Sequence, residues 1–181
     1  MDKYYYMVAQ LPALFFDKEA AIDIPTFLEE AQKWLTKRDY QRLSKINLYE
    51  TAQNGKRLKL WQQYILFELQ FRTELAGWRQ AHIEGQEYKP SHFALSMVKE
   101  GNPLEIEKKL LHHRWQWIDS QEQGHHFDLD FLILYYLKLQ ILQKLSVFNK
   151  EKGLEKFREI EAIRLVEQEE VDEVPEGGKA G

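Results

Sequence analysis

Residues 131–137 read FLILYYL, seven consecutive apolar side chains, and this run limits the folds open to the chain more than any other feature. Embedded in residues 127–148 it reads as a helix that is apolar nearly all round, and such a helix belongs at the centre of a helical domain. Lys138, Gln140, Gln143 and Lys144 follow the run. It therefore falls well short of the ~20 apolar residues that a bilayer span requires, and no direct membrane insertion is expected.

A second helix precedes it. Asn102 suits an N-cap, Pro103 fits the first turn, and Glu105 sits where a negative charge favours the positive end of the helix dipole. Leu104, Leu111, Trp115 and Ile118 form an apolar stripe, widened by Leu110 and Trp117, which leaves Glu107, Lys108 and Arg114 for the opposite face. Gly124 is the natural stop before Asp128 caps the next helix and Asp130 enters its first turn.

The rest of the chain is read in the same terms. Residues 4–9 are aromatic or apolar throughout, and three successive tyrosines favour an extended, buried segment, with a short helix as the alternative. The opening has only Lys3 as a basic residue, and Gln10 and Pro12 split its apolar core, which is unlike a secretory signal. A helix with Pro25 near its start carries Phe27, Leu28, Ala31, Trp34 and Leu35. Thr36 and Asp39 resemble a capping pair for a short helix beginning at Lys37 that buries Tyr40, Leu43 and Ile46.

Asn54-Gly55 signals a turn, and residues 56–83 form one long helix with two adjacent apolar stripes. Leu58, Trp61, Ile65 and Leu69 make the first; Leu60, Tyr64, Phe67, Phe71, Leu75 and Trp78 make the second. Gly77 inside this helix marks close packing or a bend. Residues 85–101 show no clear period beyond a short helix within 92–99. A last amphipathic helix is expected over 149–166.

The fold class is therefore mainly α: a compact antiparallel domain of about six helices over residues 1–166, preceded by an aromatic extended segment. An acidic, disordered tail covers 167–181. That tail holds six acidic residues against Lys179, leaving a body with 24 basic and 23 acidic side chains. So even a balance argues against nucleic acid as the partner, because phosphate neutralisation calls for a basic excess. The chain contains no cysteine, which excludes disulfides, thiolate metal ligation and thiol nucleophiles and suits a cytoplasmic address.

Chemistry is harder to find. His112, His113, His125 and His126 flank the turn between the two central helices, with Glu122 and Asp128 beside them, and imidazole with carboxylate can ligate zinc or iron. Glu122 and His125 match one Glu-x-x-His step of a di-iron bundle, but that chemistry needs a second copy and two further glutamates. Asp128 and Asp130 could act as an acid/base pair, although capping explains them more simply. Residues 33–59 carry eight Lys or Arg against Asp39 and Glu50, a face able to meet an acidic protein or simply a solvated one.

The chain lacks phosphate-binding, dinucleotide-binding, nucleophile-elbow and His-Glu-x-x-His motifs. No catalytic, cofactor-binding or metal-ligating residue is assigned on this basis. A metal-binding enzyme or sensor using His112, His113, His125 and His126 is the alternative.

Three stretches, YYYMVAQLPAL, NPLEIEKKLLHHRWQWIDS and GHHFDLDFLILYYLKLQILQK, resemble an uncharacterised bacterial family encoded beside subunits of V/A-type ATPases. The resemblance covers the N-terminus and residues 102–157. It implies a non-catalytic accessory, assembly or stalk-type subunit of a rotary, ion-translocating ATPase, such as a small relative of the helical C/d subunit. Such a protein would be peripheral to the membrane through its partner. No site residues carry over.

Overall fold

The computed structural model describes residues 4–51 and 58–148. The expected helix over 149–166 and the acidic tail lie outside the described residues. The chain divides into two units, Met1–Lys144 and Leu145–Gly181. Among the described residues there are seven helices and no strand: α1 (Tyr5–Gln10), α2 (Ile24–Trp34), α3 (Lys37–Leu43), α4 (Lys59–Ile83), α5 (Ser96–Lys99), α6 (Pro103–Gln121) and α7 (Leu129–Val147). The expected mainly helical fold is found.

Local chemistry accounts for most of these boundaries. The Asp23 side chain accepts a hydrogen bond from Thr26 N to open α2, and Thr36 does the same for Asp39 N at α3. Before α6, Asn102 Oδ1 accepts from Glu105 N while Glu105 Oε2 accepts from Asn102 N, a reciprocal capping box. Gly101 precedes it at φ +103°, and an added Cβ would come within 2.5 Å of Glu105 Oε2, so the box itself requires glycine there. Asp128 Oδ1 accepts from Phe131 N and starts α7.

The N-terminal segment departs from the expected extended form. Tyr5–Gln10 is helical, and only the chain beyond it opens out, with Leu11 extended. Tyr4 and Met7 are buried while Tyr5 and Tyr6 face outward, a spacing of three that suits a helix laid on the domain. Tyr4 N donates to Phe127 O, and its hydroxyl donates to Asp39 Oδ2 at 2.6 Å. These anchors override the strand preference of the tyrosines.

Helix α7 is the central element. Residues 132–139, Ile141 and Leu142 are buried, so the FLILYYL run is enclosed on nearly every side. Phe27 of α2 stacks on Tyr135 and Tyr136, and the Tyr135 hydroxyl donates to Pro12 O, tying the N-terminal segment to the core. Gln140 works as a clip: its Oε1 accepts from Leu48 N and its Nε2 donates to Ile46 O, so the chain after α3 is held against α7. Tyr64 adds a bond from its hydroxyl to Leu48 O.

On the other side, α4 packs against α6 through rings. Tyr64 and Phe67 meet Trp117, and Phe67 and Phe71 flank His113. The aperiodic stretch after α4 is pinned back on it: Glu74 accepts from Ser91 N and His92 N, and Phe93 and Val98 enter a cluster with Phe71, Leu75 and Leu110. Gly77 makes this possible. A Cβ there would stand 3.0 Å from the Tyr88 ring, so the glycine marks close packing.

Several side chains depart from the expected faces. Arg114, expected outside, is buried, whereas Trp34, Leu69 and Leu104 of the apolar stripes are exposed. The reason for Arg114 lies on α4, where Glu68 is fully buried and takes its charge.

Candidate functional site

Two polar groups inside the described residues are built well enough to ask what they do. The first is the Glu68 carboxylate between α4 and α6. Arg114 Nε donates to Glu68 Oε2 and its Nη2 to Oε1, both at 2.9 Å, while Nη1 donates to Leu110 O. Arg72 Nε adds a third bond to Oε1 at 2.6 Å. The Arg114 guanidinium also lies over the rings of Phe71 and Tyr49. Burial works against its charge, yet Glu68 holds its pKa above the ordinary arginine value. Every polar atom of the carboxylate is spent, so this group is a lock between two helices and does not offer itself to a ligand.

The second group lies in the turn between α6 and α7, where the histidines and aspartates singled out from the sequence meet. Gly124 adopts φ +89°, a left-handed value that only glycine takes without strain, and reverses the chain after α6. His125 N then donates to Glu122 O, which brings the imidazole back over the start of α7. His125 Nδ1 lies 2.7 Å from Asp128 Oδ2 and 3.9 Å from Asp130 Oδ2. Asp130 Oδ1 is buried without a hydrogen-bond partner. Burial and the neighbouring Asp128 carboxylate push the Asp130 pKa up, with His125 acting against them.

The four histidines do not act as one cluster. His112 and His113 lie about two helical turns back from the end of α6, at 3.6 residues per turn. His112 packs edge-on against Phe16 at 4.7 Å, and both histidines line a groove of about 400 Å³ with Phe16, Met97 and Gln116. His113 sits between Phe67 and Phe71. Burial, followed by the charge of Arg114, lowers its pKa, and its Nε2 is buried without a partner. His126 is exposed.

Nor do Glu122 and His125 share a site. Glu122 Oε1 accepts from Lys138 Nζ at 2.5 Å, and the same ammonium meets Asp119 Oδ1 at 2.6 Å while lying over the Trp115 ring. Lys138 thus rivets α7 to the end of α6. In the basic stretch, Lys33 pairs with Glu30 and Arg42 with Asp39.

A surface feature escaped the sequence reading. Tyr6 stacks on Trp34 at 5.9 Å and meets Tyr5 edge-on, and Tyr5 in turn lies 4.8 Å from Phe127. Tyr6, Tyr5 and Trp34 are 67%, 51% and 44% exposed. Trp34 follows Phe27 and Ala31 at helical spacing, which assigns it to the buried stripe; only the placement of α1 shows that it stands at the rim. Among the described residues, no helix is long and apolar enough to cross a membrane.

Residues 92–169 match the family described as "Protein of unknown function (DUF2764)". The match takes in α5, α6 and α7 and leaves the N-terminal aromatic segment outside it. It carries no link to V/A-type ATPases. No curated protein and no solved structure matches the chain.

Proposed function

We propose that this chain is a non-catalytic interaction subunit, an accessory, assembly or stalk-type component of a V/A-type rotary ATPase. The observation that carries the interaction reading is the chain of ring contacts from Trp34 through Tyr6 and Tyr5 to Phe127, in which Trp34, Tyr6 and Tyr5 are exposed and Trp34 and Tyr6 stack. Tyrosine and tryptophan are enriched in the energetic centres of protein interfaces, because each provides large contact area for little lost conformational freedom. Stacking reduces that cost further by holding the rings in place before a partner arrives. The ATPase as partner rests on the sequence resemblance alone.

The largest buried ionic groups also suit a structural part. Glu68 with Arg114 and Lys138 with Asp119 and Glu122 join α4 to α6 and α6 to α7, which keeps the helices in register under load.

The test is purification of the intact protein from its own cell membranes in gentle detergent, with its partners identified by mass spectrometry. Rotary ATPase subunits are expected in the wild-type eluate and strongly reduced for the Tyr6→Ala, Trp34→Ala double variant. An eluate without ATPase subunits overturns the partner. Equal recovery by the variant overturns the docking face.

A further inference from the structure

We propose that His125, Asp128 and Asp130 form a divalent-cation site at the turn between α6 and α7, with zinc as the best-matched ion. The site is independent of the interaction reading above.

One donor atom from each of the three side chains lies within 4.8 Å of the other two. Ligands on one small cation, with bonds to imidazole nitrogen and carboxylate oxygen of about 2.0–2.2 Å, stand roughly 3–4 Å apart, so these three side chains would close around an ion by small side-chain adjustments. The imidazole presents Nδ1 to both carboxylates at once, at 2.7 Å and 3.9 Å. Its direction is set by the left-handed turn at Gly124 and by the bond from His125 N to Glu122 O.

Helix capping explains Asp128, but not the rest. Asp128 uses Oδ1 to accept from Phe131 N, which fixes the carboxylate and leaves Oδ2 turned toward His125. Asp130 has no such role: its Oδ1 is buried and receives no hydrogen bond, and its Oδ2 approaches the same imidazole nitrogen. A buried carboxylate oxygen with no donor costs free energy unless something positive meets it. A single imidazole proton can satisfy only one of the two aspartates, whereas a divalent cation balances both.

The donor set narrows the ion. One imidazole with two carboxylates suits zinc or another first-row divalent metal better than calcium or magnesium, which favour all-oxygen shells. The three side chains are 29%, 48% and 29% exposed, so water can complete the coordination from the open side. Glu122, the other carboxylate in the turn, is held by Lys138 and stays out of the set.

The test is zinc titration of the full-length, untagged protein by calorimetry, with thermal melting in parallel. One zinc per chain and a higher melting temperature with zinc are expected. Asp130→Asn and His125→Gln should each weaken binding at least tenfold, while His112→Gln and His126→Gln bind as the wild type does. Asp130→Asn should melt like wild type without metal. Because a variant could fail to fold, wild-type imidazole resonances are followed as well: zinc should shift the His125 ring first, at one equivalent. Zinc uptake unchanged by Asp130→Asn and His125→Gln, or a first shift at another histidine, overturns the site. So does the absence of stoichiometric uptake by the wild-type chain.

Discussion

Replacing Glu68 by Gln keeps the side-chain volume and removes one charge, which leaves the Arg114 guanidinium buried beside a neutral amide. Breaking a buried pair in this way costs about 3–5 kcal/mol. Urea denaturation of Glu68→Gln should show a loss of that size, and a loss below about 1 kcal/mol would contradict the lock. His113 gives a second test, in pH. Its folded pKa lies below the ordinary value of 6.5, first because it is buried and then because Arg114 is near. Above pH 6.5 the ring is neutral in both states; as the pH falls below that value, the unfolded chain takes up a proton that the folded chain resists. Stability therefore declines until the folded pKa is passed. His113→Phe should remove that part of the slope below about pH 6.5, and parallel pH profiles would contradict it. At this scale the sequence was a partial guide. His125, Asp128 and Asp130 stand out by residue type, but their meeting depends on one left-handed glycine and on which way a turn closes. Glu68 gave no signal, since a charged residue on a long helix reads as solvated until its partner across the interface is known.

At the scale of elements, the strongest local signals led to the most faithful expectations. The FLILYYL run does form the buried central helix, and Asn102, Asp128 and the Thr36–Asp39 pair all cap as their types require. Caps and periodicity act within one or two turns, so the sequence carries them whole. Leu134→Asp on α7 should destabilise the domain by more than about 3 kcal/mol because it buries a charge that has no partner, and Trp115→Asp on α6 by a similar amount because it removes a large buried ring, even with the Lys138 ammonium beside it. Melting of either variant at the wild-type temperature would overturn the central placement of this pair. The N-terminal segment shows the limit of local reading. Tyrosine favours strands, yet Tyr4 is fastened to Phe127 and Asp39, residues far away in the chain, and α1 follows from those anchors. Arg114 fell on the wrong face for the same kind of reason.

For the molecule as a whole, composition and motif content set the class while leaving the partner open. A cysteine-free chain with balanced charge over residues 1–166 and without hydrolase or nucleotide motifs is compatible with the interaction role proposed above. The rings at its rim supply a face for that role. Which partner meets the face is a matter of complementarity between two surfaces, and one chain holds only half of it. The most direct measurement is therefore binding of the purified wild-type protein to a purified V/A-type ATPase from the same cells, beside the Tyr6→Ala, Trp34→Ala variant. Saturable binding at fixed stoichiometry is expected, weakened at least tenfold in a variant that still melts like wild type. No binding by the wild-type protein, or equal binding by the two proteins, would contradict it.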